Sequence, residues 1–272
     1  MSEEAFEYVP LYPIGGATSS ATDMVKFMKA ILNDGRYDGL QIIDSATLQF
    51  MESPAHRHHP LVNPMRYGFM DMSYNGVTII GHGGDTFWFH SMMALFPEFN
   101  TGLFVSFNTD KGGEVYEGLL EQFTDRYFPK RPLRQAMKAD KEFLERFSGA
   151  YRYNRYAHHD ITAIASLFGD VIVTAADSTR LKIVSGGNVE YYIPTDKLAF
   201  REVHSSKVIA FKENEKGQIT HMFIGDLAIM ALDKVTGIRS SGIQNSIFLV
   251  VVLTSIIMLF YWPITGSANK ER

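Results

Sequence analysis

A chain of 272 residues has room for one large domain, or two ordinary ones with an appendage. With 46% apolar and 21% charged residues it reads as globular with a slight membrane lean, and a net charge of −4 supplies no basic field for nucleic acid. It has no cysteine, which excludes disulfides, cysteine-based zinc sites and thiol nucleophiles.

The opening "MSEEAFEYVP" carries acidic residues and no apolar run, so it does not read as a secretory signal. The first helical pattern is "SSATDMVKFMKAILNDG", where Met24, Phe27, Met28, Ile31 and Leu32 form one apolar face. Ser20 and Asp23 make a capping-box-like start, and Gly35 is its expected stop. A shorter helix follows in "DSATLQFMESP", capped by Asp44 and ended by Pro54. The pattern then changes: "GVTIIGHGG", "FWFHSMMALFP" and "TGLFVSFNTD" read as an antiparallel meander. "GEVYEGLLEQFTDRYFP" returns to helix, with Val115, Leu119, Leu120, Phe123 and Tyr127 expected to cover the sheet. Helices packed on such a sheet give an α+β fold class.

"PKRPLRQAMKADKEFLERF" is charged, contains two prolines, and reads as a linker running into a helix. From Ser148 to about Asp233 short strands alternate with Gly, Asn and Asp turns, the pattern of a small all-β sandwich or barrel. From Gly242 to Gly266 no charge occurs, and Ile243–Trp262 supplies the roughly 20 apolar residues a bilayer-spanning helix needs. Tyr261 and Trp262 suit an interfacial position, and basic residues on both sides leave the direction open. The expected divisions are therefore 1–130, a linker and helix at 131–147, an all-β domain at 148–235 and a membrane helix at 242–265.

"GHGG" is the stretch that points to chemistry. Glycines flanking a strand residue let a ligand or another backbone approach closely. A His between them can donate or relay a proton, and the N–H groups just after it can face a developing oxyanion. The bland reading is a tight bend carrying a solvated His. Two histidine groups, His56, His58 and His59 and then His158, His159 and Asp160, lack the i, i+4 spacing of a zinc protease helix, so no metal site and no cofactor is expected. Phe87 and Phe89 read as core or cleft wall rather than a base-stacking platform, and without a basic surface no nucleic-acid partner is expected.

Taken in order, "YPIGGATSSATDMVKFMKAILNDGRYDGLQIIDSATLQFMESP", "YGF" and "GHGGDTFWFHSMMALFPEFNTGLFVSFNTD" resemble the serine β-lactamase-related superfamily of class C-type β-lactamases, penicillin-binding D,D-peptidases and esterases. The resemblance runs from about Tyr12 to Phe128. It implies that His82 takes the third active-site motif's cationic or hydrogen-bonding position and Gly84 its obligatory small position. It further implies that Asp85 offers an oxyanion-hole donor through its backbone N–H. Trp88 departs from the pattern, standing where a glycine is common, and narrows or reshapes the pocket.

The superfamily's Ser-x-x-Lys nucleophile and Tyr-x-Asn motifs are not in the matching positions. The sole Ser-x-x-Lys is Ser267–Lys270, beyond the apolar helix, and no Tyr-x-Asn occurs. "FLERFSGAYRYN", the β-domain and the closing helix resemble the tail of membrane-attached members. The resemblance therefore implies the C-terminal portion of a membrane-anchored serine hydrolase, inactive alone. Its expected partners are a small acyl substrate (ester, amide, peptide or β-lactam), a membrane, and a missing N-terminal half. In an intact parent the soluble domains are expected to be extracytoplasmic. The alternative is a membrane-anchored, non-catalytic binding or regulatory module on a degenerate hydrolase scaffold.

Overall fold

The computed structural model describes residues 7–9, 15–109, 111–128, 132–159 and 161–268. The expectations placed on the opening residues 1–6, on Tyr12, on Asp160 and on Lys270 lie outside them. The chain divides into two compact units: Met1–Met137 with Thr195–Ala210 and Phe223–Ile229, and Lys138–Pro194 with Phe211–Met222 and Met230–Arg272.

In the first unit, α1 (Ala21–Leu32) begins where the Ser20 hydroxyl accepts the Asp23 N–H at 3.2 Å and donates back to the Asp23 carboxylate at 2.8 Å. The hairpin of β1 (Arg36–Tyr37) and β2 (Leu40–Gln41) turns on Asp38 and Gly39, both left-handed, as a two-residue loop requires. α2 (Ser45–Glu52) starts at Asp44, whose carboxylate accepts the Thr47 N–H at 3.0 Å. The following strands are β3 (Pro54–His56), β4 (Met65–Arg66), β5 (Met70–Asp71), β6 (Ile80–Asp85), β7 (His90–Phe96) and β8 (Thr101–Phe107). They form one six-stranded antiparallel sheet in that spatial order. α3 (Gly112–Tyr127) follows.

The period of two along each strand sorts the core into two layers. Ile80, Met93 and Leu95 pack with Met28, Ile31 and Leu48 from α1 and α2. Ile79, Met92, Ala94 and Phe96 pack with Tyr116 and Leu120 from α3. Two expectations are corrected here. "FWF" (Phe87, Trp88, Phe89) forms the β6–β7 turn, with β7 starting only at His90, and the exposure of Phe87 and Phe89 excludes the core reading while leaving that of a cleft wall. On α3 the covering face is Tyr116, Leu120, Phe123 and Thr124, while Val115 and Tyr127 face solvent. Polar Tyr116 and Thr124 can turn inward because each finds an acceptor, Asp85 and the Leu120 carbonyl respectively.

The second unit opens with α4 (Lys141–Glu145), capped by the Asp140 carboxylate on the Phe143 N–H at 2.8 Å. Along the chain then come strands β9 (Gly149–Tyr153), β10 (Val171–Ala175), β11 (Leu181–Ser185), β12 (Asn188–Pro194), β13 (Ala199–Glu202), β14 (Val208–Glu213), β15 (Ile219–Ile224) and β16 (Leu232–Val235), of which β13, the start of β14 and the end of β15 fall in segments grouped with the first unit. They close into an eight-stranded barrel, β16 pairing with β9, so the barrel resolves the choice between sandwich and barrel. Leu144 within α4 and Phe147 just after it are fully buried, and the Tyr151 phenol donates to the Phe147 carbonyl at 2.6 Å. α5 (Ser241–Ala268) is one continuous helix, and its stretch Gly242–Leu259 has a mean hydropathy of 2.1 with none of it buried. Length and composition thus allow it to cross a membrane.

Two glycines test the turn geometry. Gly35 and Gly39 both take positive φ, but a Cβ on Gly35 meets the Ile43 carbonyl oxygen inside van der Waals contact, whereas Gly39 faces open space. We expect Gly39→Ala to cost about 1 kcal/mol from backbone strain alone, and Gly35→Ala at least twice that. Urea unfolding of the two variants measures the difference.

Candidate functional site

The geometry of the site follows from which way β6 points its backbone. The Met72 N–H donates to the Ile79 carbonyl at 2.8 Å, and the Thr86 N–H donates to the Phe89 carbonyl at 2.9 Å. Odd residues of β6 therefore face β5 and even residues face β7. Pairing with β5 ends at Met70 opposite Gly81. The N–H groups of Gly83 and Asp85 consequently point past the end of β5, out of the ladder.

His82 and Gly84 present their side-chain positions on the α1–α2 face of the sheet. Their register partners there are Met93 and Ser91, and Ser91 lies opposite Ser106, with their hydroxyls 2.8 Å apart. His82 is exposed. Its Nδ1–H donates to the Gly83 carbonyl. A Cβ on Gly84 would meet nothing within 4 Å among the described residues. The packing of the described residues does not require that glycine.

The Asp85 side chain turns to the opposite, α3 face. Its carboxylate accepts from the Tyr116 phenol at 2.8 Å and from the His90 Nδ1–H at 2.6 Å. Burial first, and then the bond to Asp85, raise the Tyr116 phenol well above its ordinary pKa. His90 is mostly covered, and its Nε2 is buried without a hydrogen-bond partner among the described residues. α3 can come this close because it begins with Gly112, where a Cβ would lie 2.7 Å from the Phe107 Cβ and 2.9 Å from the His90 Cβ.

At the β6–β7 turn, the Phe87 and Trp88 N–H groups donate to the Glu7 carboxylate at 3.0 and 3.3 Å. Its bond to Thr86, then that to Phe87, hold the Glu7 carboxyl below the usual range. Phe87 is 81% exposed, and Trp88 and Phe89 stand beside it at the same rim.

The fold thus brings His82, Gly84 and the Asp85 N–H to one end of β6, and separates the Asp85 carboxylate from them. His90, Tyr116 and Glu7 are participants that sequence reading passes over. The spacing of "DTFWFH" across a tight turn is a signal for the first, since it sets Asp85 opposite His90. No local pattern announces Tyr116 or Glu7. Among the histidines, the His56 and His58 ring nitrogens lie 3.3 Å apart, and the described residues include no group of three or more His, Asp or Glu able to hold a metal.

Residues 2–122 match the family model described as Beta-lactamase. No curated protein matches the chain. Two solved structures are similar to it: SurE with D-Leu, at 15% identity and a TM-score of 0.48, and SurE, at 16% identity and a TM-score of 0.47. The first alignment covers 79% of this chain and 50% of that one, the second 79% and 48%. The chain therefore spans about half the length of each.

The bridged carboxylate yields a local test. Asp85 is 48% open to water, so solvent screening holds each of its bonds to about 1 kcal/mol, below the range for buried hydrogen bonds to charged groups. We expect Tyr116→Phe to raise hydrogen-exchange rates of the β6–β7 amides about fivefold, and to add little further in an Asp85→Ala background.

Proposed function

We propose, from the β-lactamase-family domain in residues 2–122, that this chain is the C-terminal portion of a membrane-anchored serine hydrolase transferring an acyl group from an ester, amide or β-lactam to water. The observation that carries the reading is the end of β6: an exposed imidazole, an open position at Gly84 and a backbone donor at Asp85 converge beyond the last residue of β5. In this reading the acyl carbonyl lies along β6 in the space above Gly84. The Asp85 N–H supports the oxyanion as the tetrahedral intermediate forms, where a positioned donor contributes most. His82, exposed at the same end of β6, supplies a hydrogen bond or a cationic charge to the bound acyl substrate, while the lysine that accompanies the serine takes the serine's proton and the leaving group receives it.

The attacking serine and its lysine come from outside this sequence. The chain's only Ser-x-x-Lys, Ser267–Lys270, follows the apolar helix, far along the chain from β6. The chain by itself does not turn over, and it pairs with an N-terminal half that supplies both groups. α5 holds the assembly at a membrane, with the soluble parts extracytoplasmic.

The test joins the full chain to the reading frame that precedes codon 1 and assays p-nitrophenyl esters and nitrocefin. We expect a Ser-x-x-Lys in that frame, and His82→Ala to lower kcat/KM by about 10²–10³. Gly84→Val is expected to act comparably on kcat/KM while leaving the unfolding midpoint unchanged, because its side chain enters space that no described residue fills. A frame without that motif, or turnover indifferent to both substitutions, favours the non-catalytic binding module.

A further inference from the structure

The second unit contains a segment of apolar sequence whose described apolar side chains, Ala163 and Ile164, are only partly covered. Ile161–Phe168, "ITAIASLF", forms a 3₁₀ helix between β9 and β10 and packs against α5. Its described side chains are Thr162, Ala163, Ile164 and Ser166, and none of them is buried. At about 2.0 Å per residue the segment is roughly 16 Å long, half of a bilayer's hydrocarbon core, so it is too short to span one.

Its height relative to α5 is fixed by one buried arginine. The Arg152 guanidinium on β9 donates to the Asp170 carboxylate through Nε at 2.7 Å and a terminal nitrogen at 3.1 Å. A further nitrogen donates to the Gln244 side-chain oxygen at 3.0 Å. Asp170 lies two residues after the 3₁₀ segment, and Gln244 is in the first turn of α5. Both Arg152 and Asp170 side chains are almost fully covered, at 8% and 6% exposure, which holds the fork rigidly. The apolar segment is thus pinned level with the start of the apolar helix. The residues leading into it, Arg155, Tyr156, His158 and His159, are the amphipathic and polar types that suit a headgroup layer.

We propose that Ile161–Phe168 is a second membrane contact, lying in the headgroup–acyl boundary of a phospholipid bilayer beside the point where α5 enters it. The inference rests on the reading of α5 as a membrane helix and adds that the barrel rests on the bilayer surface with a fixed side down. Apolar area on a short helix with polar flanks binds at that depth without spanning.

The cysteine-free chain makes the experiment direct, since each single substitution carries the only thiol. Full-length Ile164→Cys, Leu253→Cys and Glu215→Cys variants are labelled with an environment-sensitive NBD fluorophore and reconstituted in phosphatidylcholine vesicles containing shallow or deep doxyl-labelled lipid. Thr162→Cys repeats the first position should labelling at Ile164 disturb folding. We expect blue-shifted emission at 164 or 162, quenched at least twofold better by the shallow than the deep probe. Leu253, within α5, should show the reverse preference, and Glu215, in the exposed β14–β15 turn, should show no quenching. Emission at 164 and 162 matching that at 215, with 253 still quenched, overturns this inference and leaves the anchor reading standing. No quenching at 253 overturns both.

Discussion

The carboxylate of Asp85, bridging the Tyr116 phenol and the His90 imidazole, fixes the end of β6 against α3. Because side chains alternate along a strand, anchoring residue 85 on one face commits 84 and 82 to the other. The exposed imidazole and the open glycine position are therefore consequences of where the aspartate is tied. The same bond holds the Asp85 N–H clear of the ladder, since the strand cannot rotate to bring it back. Glycine at 112 lets α3 reach His90, and glycine at 83 brings the strand up to Tyr116, whose oxygen lies 3.4 Å from the position of an added Cβ.

A second buried fork organises the other unit on the same principle. Arg152 gathers β9, the start of β10 and the first turn of α5 around one guanidinium. Removing a buried charge pair's partner is costly, so the fork defines the register between barrel and helix. An apolar helix joined by a slack linker could tilt freely. Here the helix start and the neighbouring apolar 3₁₀ segment are tied to the same strand.

Local rules were enough for much of the fold. Ser20 and Asp44 cap α1 and α2 where hydroxyl and carboxylate compete for free N–H groups, and Asp38–Gly39 turns its hairpin because both positions need positive φ. The short strands after Gly149 and the uncharged run after Gly242 were equally legible. What failed was local propensity overruled by tertiary partners. Aromatic "FWF" has strand character, yet it turns because Asp85 and His90 pair across it. Tyr116 displaces Val115 from the sheet face because its hydroxyl has a carboxylate to meet. At the candidate site, glycine spacing singled out His82 and Gly84, which the structure places at the same end of β6. The contributions of Tyr116, 31 residues from Asp85, and of Glu7, 80 residues from Phe87, depend on contacts that no window of sequence contains.

The proposal that this chain holds the electrophile-facing half of an acyl-transfer site and no activated serine of its own is the one on which the functional reading turns. Incubating the full-length, detergent-solubilised chain with a fluorophosphonate probe and reading its intact mass tests that claim most directly. The expected result is the unmodified mass. A single stoichiometric adduct would contradict it, because a working nucleophile would then lie within these 272 residues.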